Sequence, residues 1–359
     1  MSHPITVPVT LPARKSYGYD VLIAPGLRHS AGKLIAPVHA PCRVLLLSDD
    51  TVAALYAEDV TASLVEAGFT VVTHVIPHGE ASKSSGSLIE LLERMAEEHL
   101  TRADLLVALG GGVVGDLGGF ASAVYQRGIP FVQIPTTLLA MVDASVGGKT
   151  AIDLKAGKNL CGAFHQPALV ICDTECLSTL PSAIFADGMA EVIKYGFIND
   201  APLLEMLQSD MLYAMEDVIR LCVTDKRAMV EADETDKGVR QLLNLGHTVG
   251  HAIEACSKFT ISHGSAVALG MVIITRAAVK TGLCDKGVLD TLLGLLDKYH
   301  LPTECPFTTE QLFEVAMGDK KRAGGFITLV VPYGLADSRL VTVPVDALET
   351  YIRAGLAED

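Results

Sequence analysis

Two histidines four residues apart, His247 and His251 in NLGHTVGHAIE (244–254), have a spacing that suggests chemistry. On a helix their side chains share one face, with Cβ atoms about 5–6 Å apart, near enough to meet one metal ion. The zinc-protease form of this pattern is H-E-x-x-H, where a glutamate beside the first histidine is the general base. Thr248 occupies that place, so peptide hydrolysis by this route fails on chemistry. The plain alternative is one core histidine and one surface histidine. Glu191 and Lys194, three apart in DGMAEVIKYG, have the spacing of a surface salt bridge. Their helix is apolar on all sides, however, so the pair is expected to be buried and to need a partner or a metal. His263 opens a further apolar stretch, ISHGSAVALGM. One carboxylate and two histidines make a three-ligand catalytic metal set with an open position. Spacing alone does not say which two of the three histidines bind.

A second group of residues suits phosphates. LGGGVVGDLGGF (109–120) follows a strand-like run and opens a helix, and Gly110, Gly112 and Gly115 satisfy GxGxxG. Such a turn lets backbone N–H groups approach a pyrophosphate at a helix N-terminus. It follows a late strand, and no acid stands about 20 residues on, so a tight structural turn is the competing reading. Asp49, ending CRVLLLS, could supply the missing ribose contact or simply cap the next helix. HGEASK (78–83) places an acid and a lysine beyond another strand; taken alone, it reads as a solvated loop. IPTTLLAMVDASVGGKTAIDLKAGKN (134–159) reads as one long irregular stretch with a Thr pair, an acid, a Gly pair, Lys149 and Lys158. It is too apolar for disorder, and lysines beside glycines suit an anion.

These residues need a scaffold. Short β-branched runs alternate with helical patterns up to about residue 180: strands at 42–48, 69–76, ADLLVALG, GIPFVQIP and PALVICD, with helices at 50–68, SLIELLERMAEEH and near 113–126. Nearly all-apolar strands in that alternation predict a Rossmann-like α/β domain with a parallel sheet covered on both faces. Helical periodicity then dominates to about residue 317, with a strand-like pair (FITLVVP, RLVTVP) near the end. The expected division is an α/β domain over 1–180 and a mainly helical domain over 181–359.

Bulk properties narrow the class. The chain has 359 residues, half hydrophobic and 19% charged, which excludes extended disorder. A net charge of −14 and a pI near 5.2 argue against nucleic acid and anionic membrane. The N-terminus lacks an apolar core of signal-peptide length, and no run approaches a membrane span. Eight cysteines without a CxxC fit reduced thiols in a cytoplasmic protein.

With these residues assembled, the chain resembles the 3-dehydroquinate synthase family of sugar-phosphate cyclases. The resemblance rests on HGEASK, GGGVVGD, YQRG, IPTT, VDASVGGK, GKNL, AEVIKYG, NLGHTVGHA, SHG and GDKK (318–321), in order along the chain. It implies a homodimer acting on a phosphorylated sugar acid, with NAD and one divalent ion, Zn²⁺ or Co²⁺, between two domains. Glu191, His247 and His263 match the metal ligands, so the opening pair divides, His251 matching a substrate-side histidine near the phosphate. NAD contacts fall on Asp49, on His78, Gly79, Glu80, Ala81, Ser82 and Lys83, and on Gly112, Val113, Val114, Gly115 and Asp116. They continue at Thr136, Thr137, Lys149, Lys158, Cys176, Leu177, Ser178 and Thr179. Lys149, Asn159 and Arg127 match phosphate binders, Arg127 reaching in from the other subunit, with Lys320 or Lys321 as a further one and Lys320 preferred. Lys226 and Arg240 match the substrate-carboxylate site; Asp143, Lys194 and Asn244 match contacts to the ring hydroxyls. Relatives often have Asn two places after the Asp49 position, where Thr51 stands here.

The implied reaction converts 3-deoxy-D-arabino-heptulosonate 7-phosphate to 3-dehydroquinate. It runs by transient oxidation at C5, β-elimination of phosphate, reduction and intramolecular aldol closure. Sister cyclases of the aminoglycoside and C7-cyclitol branches, a polyol dehydrogenase of the glycerol dehydrogenase kind, and a non-catalytic NAD sensor are the alternatives. Arg240, Asn244 and His251 favour the dehydroquinate branch, and a cationic cluster suited to phosphate and carboxylate argues against a polyol.

Overall fold

The computed structural model describes residues 18–209, 214–320 and 325–356, the side chains of 318–320 excepted. The α/β half begins with β1 (Asp20–Ala24) and α1 (Ala31–Ile35). The expected alternation follows: β2 (Arg43–Asp49), α2 (Asp50–Glu66), β3 (Thr70–Ile76), α3 (Ser85–Glu97), β4 (Leu105–Gly110), α4 (Gly112–Val124) and β5 (Phe131–Pro135). β6 (Lys149–Leu154), β7 (Gly157–Phe164) and β8 (Leu169–Asp173) complete this half. Six strands lie parallel in the order β1–β8–β5–β4–β2–β3. Alternate residues of β2 serve opposite faces. Val44 and Leu46 join the core under α2, while Leu45 and Leu47 join the core under α3 and α4. Chain order therefore reverses between β2 and β4, and a sheet of this type binds ligands at the carboxyl ends flanking that point.

The stretch 134–159 is not one irregular loop. It holds the end of β5, a π-helical turn at Ala140–Ala144, and the antiparallel hairpin β6–β7. The ribbon is only two strands wide and its apolar residues do not alternate regularly, so periodicity alone does not reveal it. β1 was not expected either; it adds to the sheet through its parallel register with β8 (Asp20 opposite Leu169).

The helical half comprises α5 (Ser182–Ile198), α6 (Ala201–Gln208), α7 (Met215–Ala232), α8 (His247–Cys256), α9 (His263–Lys280), α10 (Lys286–Lys298) and α11 (Thr309–Lys320). The antiparallel pair β9 (Phe326–Gly334) and β10 (Asp337–Pro344) and helix α12 (Ala347–Leu356) close the described chain. The core under α2 continues without a break into α5, α7, α8 and α9 through Met189, Val192, Ile219, Val249 and Met271.

Glycines set how closely α8 and α9 approach. Gly246 precedes α8 in left-handed geometry (φ +79), and a Cβ there would lie 2.6 Å from the Val267 carbonyl oxygen. A Cβ on Gly270 would come within 2.0 Å of the Gly246 carbonyl oxygen. Where α9 meets α5, a Cβ on Gly264 would lie 2.2 Å from the Asp187 carbonyl oxygen. Only bare backbone fits, and this brings the first residues of two helices, His247 and His263, alongside α5. Gly270→Ala is expected to destabilise the protein by about 1–3 kcal/mol through overpacking. Gly294→Ala, on exposed α10 with nothing near the added atom, should be neutral or stabilise by up to about 1 kcal/mol. Denaturant melts of the two variants check this, and equal stability for both would refute the packing argument.

Candidate active site

A cleft of about 1450 Å³ opens at the carboxyl ends of β2 and β4 and is walled on its far side by the helical half. The N-terminus of α4 points into it. Gly111 caps the helix without a side-chain acceptor, leaving the first N–H groups, at Gly112, Val113 and Val114, facing the cleft. Gly115 serves packing, since a Cβ there would lie 2.6 Å from Gln133 Oε1. Asp49 sits across the switch point. Its Oδ1 accepts from the N–H groups of Thr51 (3.0 Å) and Val52 (2.9 Å), so it caps α2 while lining the cleft. Unfilled helix donors beside a carboxylate fit the pyrophosphate and ribose of a dinucleotide.

The predicted cofactor residues gather around these two features. His78, Gly79, Glu80 and Lys83 line the cleft, whereas Ala81 and Ser82 turn away in the short helical turn at 80–82. Lys83 is buried; its Nζ lies 2.5 Å from Asp116 Oδ2 and donates to Asn159 Oδ1 (2.5 Å). Burial lifts the Asp116 carboxyl to about 6 against the pull of Lys83. Thr136 is buried with its hydroxyl unpartnered, and Thr137 Oγ1 accepts from the Ala140 N–H (3.2 Å). Cys176 and Thr179 reach the wall, while Leu177 and Ser178 do not. Burial, then Asp173, pushes the Cys176 thiol up to about 12, which excludes it as a nucleophile at neutral pH.

Deeper in, Glu191, His247 and His263 converge. Glu191 is buried on α5, and its Oε1 lies 3.4 Å from His247 Nε2 and 3.5 Å from His263 Nε2. Two ligands at about 2.1 Å from a tetrahedral ion stand roughly 3.4 Å apart, so these separations suit a metal. Both Glu191 oxygens are buried and accept no well-directed hydrogen bond, although Lys194 ion-pairs with Oε2. His247 Nδ1 lies 3.1 Å from the Leu245 carbonyl, which holds a proton on that nitrogen and leaves Nε2 free to coordinate. Burial drags the His247 ring down to about 3. For His263 burial acts the same way, but Glu191 and Glu254 outweigh it and raise the ring to about 10.

His251 lies one turn beyond His247, its ring 5.5 Å away, and faces the cleft. Asp143, in the π-helical turn, accepts on Oδ1 from Lys226 (2.7 Å) and the Tyr195 hydroxyl (2.9 Å), and these partners hold its carboxyl well below the usual range despite burial. Lys149 reaches the cleft and ion-pairs with Asp236. Arg240 is buried beside the cleft, donating to the carbonyls of Glu234 (2.7 Å) and Gly147 (3.1 Å) with Nε unpartnered. Asn244 ends the turn leading to α8, also off the cleft wall. Arg127 is exposed, in a left-handed turn (φ +66), and lines no part of this cleft. The side chain of Lys320 and the whole of Lys321 lie outside the described residues.

Sequence reasoning missed Glu254. It stands at the end of the same NLGHTVGHAIE stretch, is 2% exposed, and contacts both His263 Nδ1 (3.2 Å) and Lys158 Nζ (3.0 Å). The spacing His247, His251, Glu254 puts all three on one helix face, and that signal could have found it. His251, Glu254 and His263 form a second triplet of metal-ligand type. The Glu191 triplet is the better seat for a cation, because its carboxylate is buried and neither of its histidines is exposed, whereas His251 is exposed.

Two family models match, described as 3-dehydroquinate synthase N-terminal (residues 73–187) and C-terminal (residues 188–322). The 3-dehydroquinate synthase of Pelobacter propionicus is 44% identical over 341 residues, covering 92% of this chain and 95% of its own. That of Caulobacter vibrioides is 44% identical over 370 residues, with 99% and 98% covered. The chain belongs to the 3-dehydroquinate synthase family. A structure of 2-epi-5-epi-valiolone synthase from Streptomyces hygroscopicus subsp. jinggangensis, with NAD⁺ and Zn²⁺ bound, superposes with a TM-score of 0.86 at 27% identity, covering 96% of this chain and 98% of its own. Among the described residues no helix is long and apolar enough to cross a membrane.

The geometry gives a pH test. With its folded pKa raised to about 10, His263 carries a proton at neutral pH. The stability this adds to the metal-free protein is complete below the ordinary value of 6.5 and fades as pH rises through 10. A zinc ion seated on His263 would expel that proton, so binding at pH 8 should release about one proton per ion and tighten as pH rises toward 10. Calorimetry in buffers of different ionisation enthalpy reads the count. His251→Ala should give the same result as the parent; zero protons released would contradict the assignment.

Proposed function

We propose that this protein is the enzyme that converts 3-deoxy-D-arabino-heptulosonate 7-phosphate to 3-dehydroquinate and phosphate. The observation that carries the reading is one cleft in which open helix N–H groups and a set of lysines meet the wall through which His263 joins a buried Glu–His–His triplet. NAD⁺ takes the α4 terminus with Asp49, Lys83, Thr136, Thr137 and Lys158 around it. The valiolone synthase structure, holding NAD⁺ and Zn²⁺, supports that pair here. Glu191, His247 and His263 hold the ion. When bound, the two supply a hydride acceptor and a Lewis acid for the substrate alcohol.

The chain's own residues do the rest. Lys149, Asn159 and His251 take the substrate phosphate, and Lys226 and Arg240 take its carboxylate. Holding both ends aligns the leaving group and later the aldol carbons, and proximity of this kind contributes about 7–11 kcal/mol. Lys194, buried beside the triplet, and the half-buried Asp143 contact the ring hydroxyls together with Asn244. The division at residue 180 puts the three metal ligands in the helical half and the NAD contacts in the α/β half, which also lends Asp143, Lys149 and Asn159 to the substrate. The protein works in the cytoplasm; its eight free cysteines support a reducing compartment. Phosphate should appear once per turnover with no net NADH absorbance, and chelation should stop it until Zn²⁺ or Co²⁺ is returned. Stoichiometric NADH would mark a polyol dehydrogenase instead.

The active form is a homodimer whose sites each borrow Arg127 from the partner. The support is that Arg127 is exposed and off its own cleft, and a two-fold dimer presents one patch twice. Arg127→Ala and Lys149→Ala, each nearly inactive, should complement on mixing. A mixed dimer then has one intact site, and about half the dimers mix at random, giving roughly a quarter of parent activity. No recovery, with subunit exchange verified, rules the shared site out.

A further inference from the structure

The two histidines of the triplet are held differently from behind. His247 Nδ1 faces the Leu245 backbone carbonyl, whereas His263 Nδ1 faces a carboxylate, Glu254 Oε2, at 3.2 Å. His263 thus stands between two acids, with Glu254 on Nδ1 and Glu191 on Nε2 (3.5 Å). Only one of those nitrogens faces the metal seat. A carboxylate accepting from Nδ1–H fixes the tautomer, sets the ring plane and raises the basicity of Nε2. Glu254 is fitted for this. It is almost wholly buried, and a buried anion needs a counter-charge, which Lys158 supplies at 3.0 Å on Oε1 while leaving Oε2 to the ring. Glu80 stands 3.6 Å from the same Lys158 ammonium, and the Phe259 ring lies 4.9 Å from it, so the lysine is itself fixed at the cleft wall.

We propose that Glu254 is a positioning residue that presents His263 Nε2 to the metal, with Lys158 holding its carboxylate in place. This rests on the reading of Glu191, His247 and His263 as metal ligands. It adds that the chain Lys158–Glu254–His263 joins the cofactor wall to the metal seat.

The test is Zn²⁺ affinity of the full-length protein, measured by chelator competition, with the visible spectrum of the Co²⁺ form as a second readout. Glu254→Ala should weaken Zn²⁺ binding by about 10- to 100-fold and alter the cobalt bands, the size of effect expected for loss of a metal ligand's hydrogen-bond acceptor. Glu254→Gln keeps an oxygen acceptor but loses the charge, and should fall between, about three- to tenfold below the parent. The near-isosteric Gln variant decides the matter even where the Ala variant fails to fold. Either variant binding Zn²⁺ as tightly as the parent, with unchanged cobalt bands, overturns the proposal. So does a Gln variant as weak as Ala, because the effect would then come from the Lys158 charge pair and not from the ring. A parent that binds no Zn²⁺ would sink the metal reading itself, a result distinct from parent and variants binding equally.

Discussion

The half that carries the candidate metal seat depends on how near two helix backbones can come. α8 and α9 touch where the Gly246 carbonyl meets Gly270, with no side chain between them. Both helices begin at a histidine of that candidate seat, so a shift of either axis moves a donor atom. A site held within about half an ångström of its working geometry must stand on elements that cannot slide. Here backbone contact supplies that rigidity. Gly264 adds a third point of contact, where α9 presses on the Asp187 carbonyl and so fixes the distance to Glu191 on α5.

A second constraint is charge. Five lysines expected to serve cofactor or substrate each lie against an acid of this chain: Lys83 with Asp116, Lys149 with Asp236, Lys158 with Glu254, Lys194 with Glu191 and Lys226 with Asp143. Burying a lone ammonium is costly, which calls for a partner at the buried Lys83, Lys194 and Lys226, and in a protein of net charge −14 the more open Lys149 and Lys158 find one as well. Arriving phosphate and carboxylate groups therefore compete with carboxylates already in place. Binding becomes an exchange of partners, which lowers the net gain per contact and favours ligands that engage several lysines together.

Much of this was legible in the sequence. Apolar strands such as Val44–Leu47 announce a sheet buried on two faces, and the run from Gly110 to Gly115 announces a turn that approaches an anion. Glu191 could be read as buried because its helix is apolar all round. The hairpin β6–β7 was not legible, since a two-stranded ribbon lacks the sustained alternation of a half-buried sheet. Glu254 escaped because an acid at the end of a helix looks like a solvated one. Its burial comes from α9 and from Lys158, 96 residues away in the chain, and only the folded structure joins them. Asp49 shows that two readings can hold at once, as it caps α2 and also faces the cleft.

The core beneath α2 runs on into α5, α7, α8 and α9. The change from alternating to helical texture near residue 180 is thus a change in architecture with no gap in packing beneath it. Severing the chain there would bare a broad oily surface on each fragment. For anyone recombining relatives, the halves are poor cassettes: a transplanted helical half would meet a foreign sheet face, and its histidines would inherit the misfit.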